Sequence, residues 1–107
     1  MPTQMTINVK RTLVVQHSAG HQMSGVHPHA TTASLIVSSL PMEYHDFKSC
    51  SWYRLPPYGE WKPEVVIMDC GDTLPKEYEG KVEVMRAVWD RRGNVAYVRS
   101  DPSIKFV

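Results

Sequence analysis

At 107 residues the chain is long enough for one domain with a hydrophobic core and too short for two. Its apolar fraction of 42% argues against disorder, and its net charge of +1 argues against a duplex-DNA binder that relies on overall positive charge. No apolar run approaches the ~20 residues that cross a bilayer, and the first residues lack the apolar centre of a secretion signal. We therefore expect one cytoplasmic domain over residues 1–107, with Cys50 and Cys70 as buried, reduced thiols.

The first half of the chain suggests two strands separated by a polar loop. Residues 6–15 alternate apolar and polar side chains, which predicts a half-buried strand. Residues 16–32 are small and polar, hold four of the five histidines, and predict a loop. Residues 33–40 predict a second strand, because serine and β-branched residues are weak helix formers. Pro41 suits the start of one helical turn through residues 42–47.

The middle of the chain is rich in aromatic residues and proline. Residues 49–63 contain two tryptophans, two tyrosines and three prolines, which excludes a regular helix and predicts an extended loop that wraps the core. Residues 64–68 form a compact apolar run, which predicts a third strand. Residues 69–80 carry two glycines and a proline, which predicts a connection.

The C-terminal third contains the best local signal, a β-hairpin. Residues 81–89 and 94–99 are β-rich and flank a short turn, with Gly93 where a hairpin loop needs a positive φ angle. An amphipathic helix over residues 76–92 is the alternative, and residues 103–107 predict a final strand. The fold class is therefore all-β or β-rich α+β, as a small antiparallel sheet or a partly open barrel with a C-terminal hairpin.

One stretch, VVIMDCGDTLP from residue 65 to residue 75, resembles the nucleophile motif of the haloacid dehalogenase-like phosphatases. That motif is an apolar strand followed by Asp-x-Asp-Gly-Thr; here Gly71 stands at the acid/base position and Asp72 follows it. The resemblance implies that Asp69 is a covalent nucleophile at the end of a parallel strand. The rest of the chain favours a different interpretation, because few residues follow the motif and they include an antiparallel hairpin. We therefore expect no catalytic residue, and an Asp69 or Asp72 that accepts backbone hydrogen bonds in a turn.

The histidine-rich loop raises the possibility of a metal site. The pair His27-x-His29 is similar to the metal-binding pair of the cupin family, and imidazole is a common ligand of divalent metals. The acid that follows this pair in cupins is missing here, and no histidine follows His45. A generic site that holds zinc or another divalent metal through His27 and His29, joined by Cys50 and Cys70, stays open, and so does a pair of His17 with His21. The alternative is a polar loop without a metal or any other cofactor.

The aromatic segment is the strongest candidate for a contact surface. Tryptophan, tyrosine and arginine dominate the binding energy of protein interfaces, and prolines hold a segment extended at low entropic cost. The alternative is that Trp52 and Trp61 fill the ends of the core. The candidate binding residues of this segment and of the hairpin are Trp52, Tyr53, Arg54, Tyr58, Trp61, Arg91 and Arg92.

Three functions follow from these features. The first is a small non-catalytic module that binds another protein, such as an accessory or inhibitor protein, including one encoded by a phage. The second is a single-stranded nucleic-acid binder that uses the arginines and aromatic residues of the hairpin. The third is a metal-dependent β-barrel enzyme that uses the histidine loop. None of the three involves a membrane.

Overall fold

A five-stranded mixed sheet organises the fold. The structure is a computed structural model that describes residues 8–17, 22–23 and 27–107, with backbone alone for 22–23 and 27–31. In chain order the elements are β1 (Arg11–Gln16), β2 (Gln22–Met23), β3 (His27–Thr31), α1 (Thr32–Ser38), β4 (Asp46–Ser51), α2 (Tyr58–Trp61), β5 (Val65–Met68), β6 (Thr73–Leu74), β7 (Glu83–Trp89), β8 (Val95–Arg99) and β9 (Lys105–Phe106), with 3₁₀ turns at Met42–Tyr44 and Lys76–Tyr78.

The strand order in this sheet is β4-β1-β5-β7-β8. Strand β1 runs parallel to β4 and β5, β5 runs parallel to β7, and β8 alone is antiparallel to its neighbour. The expected β-rich α+β class is confirmed, but the expectation of a mostly antiparallel sheet is wrong. Three parallel pairings fit into this short chain because the crossovers are short, with seven residues in α1 and four in α2.

The central strands are apolar on both sides, as buried parallel strands usually are. All four residues of β5 are buried, and so are five of the six residues of β1. On one face of the sheet, Val14 and Ile67 pack with α1. On the opposite face, Val15 and Met68 pack under Tyr78, together with Leu74 and residues of α2 and β9. The alternation of side chains along each strand therefore builds two cores on one sheet.

Helix α1 corrects the expected strand over residues 33–40. Its buried residues Ala33, Ile36 and Val37 have the i, i+3, i+4 spacing of one helical face. The helix is the crossover that returns the chain from β1 to the start of β4, as a parallel pairing requires. The hydroxyl of Ser39 donates to the Ile36 carbonyl at 2.7 Å, so serine at this end bonds the helix rather than breaking it.

Several local expectations are confirmed. The hairpin is formed by β7 and β8, Gly93 has φ +83°, and the alternative helix over residues 76–92 is excluded. Strand β5 lies where the third strand was expected, β9 lies within residues 103–107, and Pro41 precedes a single 3₁₀ turn. The expected loops are wrong in part: β2 and β3 form a small antiparallel pair inside residues 16–32, and β6 lies inside residues 69–80. Of the first strand, residues 6 and 7 lie outside the described part of the chain.

No helix within the described ranges is long and apolar enough to cross a membrane.

Candidate functional site at the carboxyl edge of the sheet

Four neighbouring strands end at one edge of the sheet, because β4, β1, β5 and β7 are parallel. We call this the carboxyl edge. His17 follows β1, Trp52 follows β4, Asp69 follows β5 and Asp90 follows β7. From β1 the chain passes first to β4 on one side and then to β5 on the other. Such a reversal of strand order is where open parallel sheets most often bind ligands, outside the carboxyl ends of the strands.

Trp52, Tyr53 and Arg54 form an exposed group at this edge, which we call the aromatic patch. Trp52 is 43% exposed and Tyr53 is 57% exposed. Their rings meet edge to face, with centroids 5.7 Å apart and an interplanar angle of 88°. The guanidinium of Arg54 lies over the Tyr53 ring, 5.9 Å from its centroid. The patch therefore presents two large aromatic surfaces and one positive charge to solvent.

Backbone hydrogen bonds hold the aromatic patch on the sheet. The Trp52 N–H donates to the Gln16 carbonyl of β1 at 2.8 Å, which continues the β4–β1 pairing by one residue. The Arg54 N–H donates to the Ser51 carbonyl at 2.9 Å, which closes a turn. The rings are thus attached to ordered backbone, and such preorganisation lowers the entropic cost of binding.

The other aromatic residues of the same segment belong to the core. Tyr58 packs edge to face on Tyr78, with centroids 5.5 Å apart, and Trp61 packs against the same side of the sheet. The ammonium of Lys48 lies 5.0 Å from the centre of the Trp61 ring. The structure thus divides the candidate binding residues. Trp52, Tyr53 and Arg54 face solvent together, whereas Tyr58 and Trp61 are partly buried in packing.

Gly71 allows Trp52 to lie against the turn after β5. Its φ of +86° lies in the left-handed region, which favours glycine. A Cβ at this position would lie 3.3 Å from the Cβ of Trp52. The backbone after β5 can therefore approach the start of the aromatic patch more closely than it could with any other residue at this position.

A shallow depression of about 360 Å³ adjoins the aromatic patch, and we call it the aromatic trough. Its lining comes from three parts of the chain: Trp52, Tyr53 and Leu55 after β4; Thr73, Leu74 and Pro75 in and after β6; and Val107 after β9. Leu74 is fully buried and supplies apolar floor, whereas Val107 is largely exposed. Sequence reasoning missed this trough because it depends on the pairing of β6 with β9.

Asp69 is placed by two contacts at the end of β5. Its backbone N–H donates to the Val15 carbonyl of β1 at 2.7 Å, and its Oδ1 accepts a hydrogen bond of 2.9 Å from the indole Nε1 of Trp89. Asp69 follows a parallel strand, contrary to the expectation of a mostly antiparallel sheet. Of the two candidates for the turn contact, Asp69 and Asp72, the first differs from the expectation, because its carboxylate accepts a hydrogen bond from an indole.

Gln16 lies beside Asp69 on the neighbouring strand, one residue beyond the pair of Val15 with Met68. Its side chain is fully buried, and neither Nε2 nor Oε1 has a hydrogen-bond partner among the residues that the structure describes. A buried amide without partners is costly. The sequence does not reveal that Gln16 is buried, because a polar residue after an apolar run is ordinary at the end of a strand.

The hairpin loop brings Arg91 and Arg92 to the same edge, where both are exposed. The carboxylate of Asp90 shapes the loop: Oδ1 accepts from the N–H groups of Asn94 and Arg92, each at 2.9 Å. The hydrogen bonds from Asn94 in particular, and that from Arg92, lower the pKa of Asp90. Among the described residues neither arginine side chain forms an ion pair.

Three other hairpin side chains contact other residues of the protein. Arg86 pairs with Asp101 at 3.2 Å, and Arg99 pairs with Glu83. The hydroxyl of Tyr97 donates to the Ile36 carbonyl at 2.6 Å. A nucleic-acid surface that runs along the whole hairpin is therefore less favoured than one confined to its loop.

The metal hypothesis falls mainly outside the described side chains. The backbone of His27 and His29 lies in β3, but their side chains are not among those described. Within the side chains that are described, no three His, Cys, Asp or Glu residues lie close enough to hold a metal ion. Cys50 packs with the core cluster beneath α2, and burial raises the pKa of its thiol to about 11.

Comparisons of the chain with protein-family models, with curated protein sequences and with solved structures give no significant match.

Proposed function

We propose that this chain is a small non-catalytic module that binds another protein through the aromatic patch at the carboxyl edge. The observation that carries the proposal is the contrast within one segment. Trp61 is partly buried against the sheet, whereas Trp52 and Tyr53 lie side by side with about half of their surface exposed. Tryptophan, tyrosine and arginine are the residues most enriched at interface hot spots.

The surroundings of the patch support a binding role. Exposed apolar rings are costly in water, and their cost is recovered when a partner covers them. The trough beside the rings gives a partner an apolar surface to enter, and the anchored backbone keeps the rings in place. Trp52 and Tyr53 contribute large contact area with few rotatable bonds, which favours affinity.

Single-stranded nucleic acid is the second candidate partner. The observation in its favour is that Arg91 and Arg92 lie at the same edge as the aromatic patch, because β4 and β7 run in the same direction. Aromatic rings that stack on bases, combined with arginines that contact phosphates, are typical of single-strand binding. Asp72 and Asp90 are also exposed at this edge and reduce its positive charge.

The test is affinity capture from cells of the source organism with three immobilised proteins. These are the wild type, the double variant Trp52→Ala/Tyr53→Ala, and the control Met42→Ala, which removes an exposed apolar side chain at the opposite edge of the sheet. We expect the wild type and the control to retain a partner that the double variant loses. Urea denaturation of all three proteins checks that folding is intact.

Retention of the same partner by the double variant would contradict the proposal. Titration of labelled single-stranded DNA and RNA at two salt concentrations separates the two candidate partners. If nucleic acid binds, and if this binding weakens with salt and with loss of the aromatic patch, the partner is a nucleic acid and not a protein.

A further inference from the structure

We propose that the aromatic trough binds a proline-rich segment of the partner in the polyproline II conformation, with an acidic residue of that segment beside Arg54. This inference rests on the proposed protein-binding function and names the chemistry of the partner. It follows from the shape of the trough, from its hydrogen-bond donors and from its charge.

The shape of the trough suits an extended apolar ligand. Its volume of about 360 Å³ is at the small end of ligand sites and it is open to solvent. The two rings of Trp52 and Tyr53 stand at 88° to each other, so they offer two differently oriented flat surfaces. Proline-rich segments commonly bind in grooves lined by aromatic side chains, and the proline rings pack between those side chains.

The donors of the trough fit a ligand whose backbone is not hydrogen-bonded to itself. Within the described part of the chain, neither the indole Nε1 of Trp52 nor the hydroxyl of Tyr53 donates to a protein acceptor. A polyproline II segment has no internal hydrogen bonds, so its carbonyl oxygens are available as acceptors. Each ring can therefore pack on a proline and also donate to the backbone of the same segment.

The positive charge of Arg54 beside the trough favours an acidic residue next to the prolines of the ligand. Arg54 is exposed, lies over the Tyr53 ring with its guanidinium carbon 5.9 Å from the centroid, and forms no ion pair with any described carboxylate. A guanidinium held over a ring keeps its donors directed outward, where they suit a carboxylate. We therefore expect glutamate or aspartate next to the prolines, and a penalty for lysine at the same position.

The test uses three labelled synthetic peptides and measures dissociation constants by fluorescence anisotropy. The first peptide is a proline-rich segment flanked by glutamate, the second has lysine in place of the glutamate, and the third replaces the prolines by glycine and serine. We expect the wild type to bind the glutamate peptide saturably, the lysine peptide more weakly, and the glycine-serine peptide not at all.

Variants assign the contacts. Trp52→Ala should raise the dissociation constant for the glutamate peptide about tenfold or more, as truncation of a hot-spot ring does. Trp52→Phe keeps the ring and loses the indole donor, so it should have an intermediate effect. Arg54→Ala should abolish the preference for glutamate over lysine while the prolines still bind. Met42→Ala should bind like the wild type.

Failure of the wild type to bind any proline-rich peptide, or equal affinity in Trp52→Ala, would overturn this inference. If the capture experiment nevertheless yields a partner that depends on the aromatic patch, the binding function stands and only the class of ligand is wrong. A preference for glutamate that persists in Arg54→Ala would overturn the assigned role of the guanidinium.

Discussion

The indole Nε1 of Trp89 donates a hydrogen bond of 2.9 Å to Oδ1 of Asp69, and thereby joins the ends of β7 and β5 at the carboxyl edge. Both residues are partly buried. A hydrogen bond to a carboxylate is stronger than one to a neutral acceptor, and it is worth more where water is partly excluded. The carboxylate that resembles a phosphatase nucleophile thus accepts a hydrogen bond from an indole in this structure.

Asp69→Asn keeps an oxygen acceptor and loses the charge. We expect it to lower the free energy of unfolding by about 1 kcal/mol, measured by urea denaturation. In a Trp89→Phe background, which has no indole donor, the same change should have a much smaller effect. Assays with a generic phosphate monoester should show no turnover by the wild type. Phosphatase turnover that disappears in Asp69→Asn at unchanged stability would restore the nucleophile interpretation.

Gly71→Ala tests the close approach to Trp52. The left-handed backbone alone should cost about 1–2 kcal/mol of stability. Gly80→Ala is the matched control, since Gly80 has φ +75° but no atom within 4 Å of the position of a Cβ. We expect Gly71→Ala to lose more stability than the control and to change tryptophan fluorescence. Equal losses in the two variants would show that the contact with Trp52 has no energetic weight.

Gln16→Met replaces the buried amide by an apolar side chain of similar length. Because neither polar atom of Gln16 has a partner within the described part of the chain, we expect the variant to be more stable by about 1–2 kcal/mol in urea denaturation. Gln16→Glu, which places an ionisable group at the same position, should be destabilising. The loss of stability should grow as the pH rises above about 4, the ordinary pKa of a glutamate, because burial disfavours the charged form. Loss of stability in Gln16→Met would mean that the amide is hydrogen-bonded in solution.

Asp101 gives the protein an acid-sensitive contact. Its pKa is lowered first by hydrogen bonds from Ser103 and then by Arg86, whose Nε lies 3.2 Å from Oδ2. A carboxyl group with a lowered pKa in the folded state stabilises the protein above its ordinary pKa of about 4, and this contribution is lost as the pH falls through the lowered value. Asp101→Asn should therefore be less stable than the wild type at pH 7, with a difference that shrinks in acid.

Arg86→Met is the informative comparison for this pair. It removes the guanidinium and leaves the hydrogen bonds from Ser103, which are the larger cause of the lowered pKa. We expect it to keep most of the acid sensitivity of the wild type. Thermal unfolding followed between pH 3 and pH 7, in steps of about one unit, measures all three proteins. An Arg86→Met curve that matches Asp101→Asn would assign the effect to the ion pair instead.

Cys50 should react slowly as a thiol. With a pKa raised to about 11 by burial, roughly one molecule in a thousand carries the thiolate at pH 8. In a Cys70→Ser variant, the rate of reaction with an aromatic disulfide should be low at pH 8 and rise about tenfold per pH unit up to pH 10. A fast reaction whose rate levels off above about pH 9 would show that the pKa of the thiol is not raised.

Local sequence signals predicted the elements that depend on their own residues. The hairpin was predictable because Gly93 and the flanking β-rich runs specify a turn, and β5 was predictable because a short apolar run suits a buried strand. Strand β4 was missed because it is an edge strand with mostly exposed polar residues, so its pairing with β1 rather than its composition defines it.

Helix α1 and the direction of the strands depend on tertiary context. The segment from Thr32 to Ser38 has weak helix propensity, and it is helical because a parallel pairing of β1 with β4 requires a crossover. Because the directions of the strands could not be predicted from the sequence, the residues of the site could not be placed together. Trp52, Asp69 and Arg91 belong to separate parts of the sequence, and only the parallel arrangement places them at one edge.

The strand order also sets how this chain reaches its folded state. Strand β1 lies between β4 and β5, so its hydrogen bonds within the sheet can form only with segments that come much later in the sequence. Closing such long loops costs entropy before any contact repays it, which makes folding slow relative to proteins with local contacts. Within the five-stranded sheet, β7–β8 is the pairing closest in sequence and is the natural early nucleus. Until β5 pairs with it, β1 has an unpaired edge, and that interval is when the chain is most exposed to aggregation.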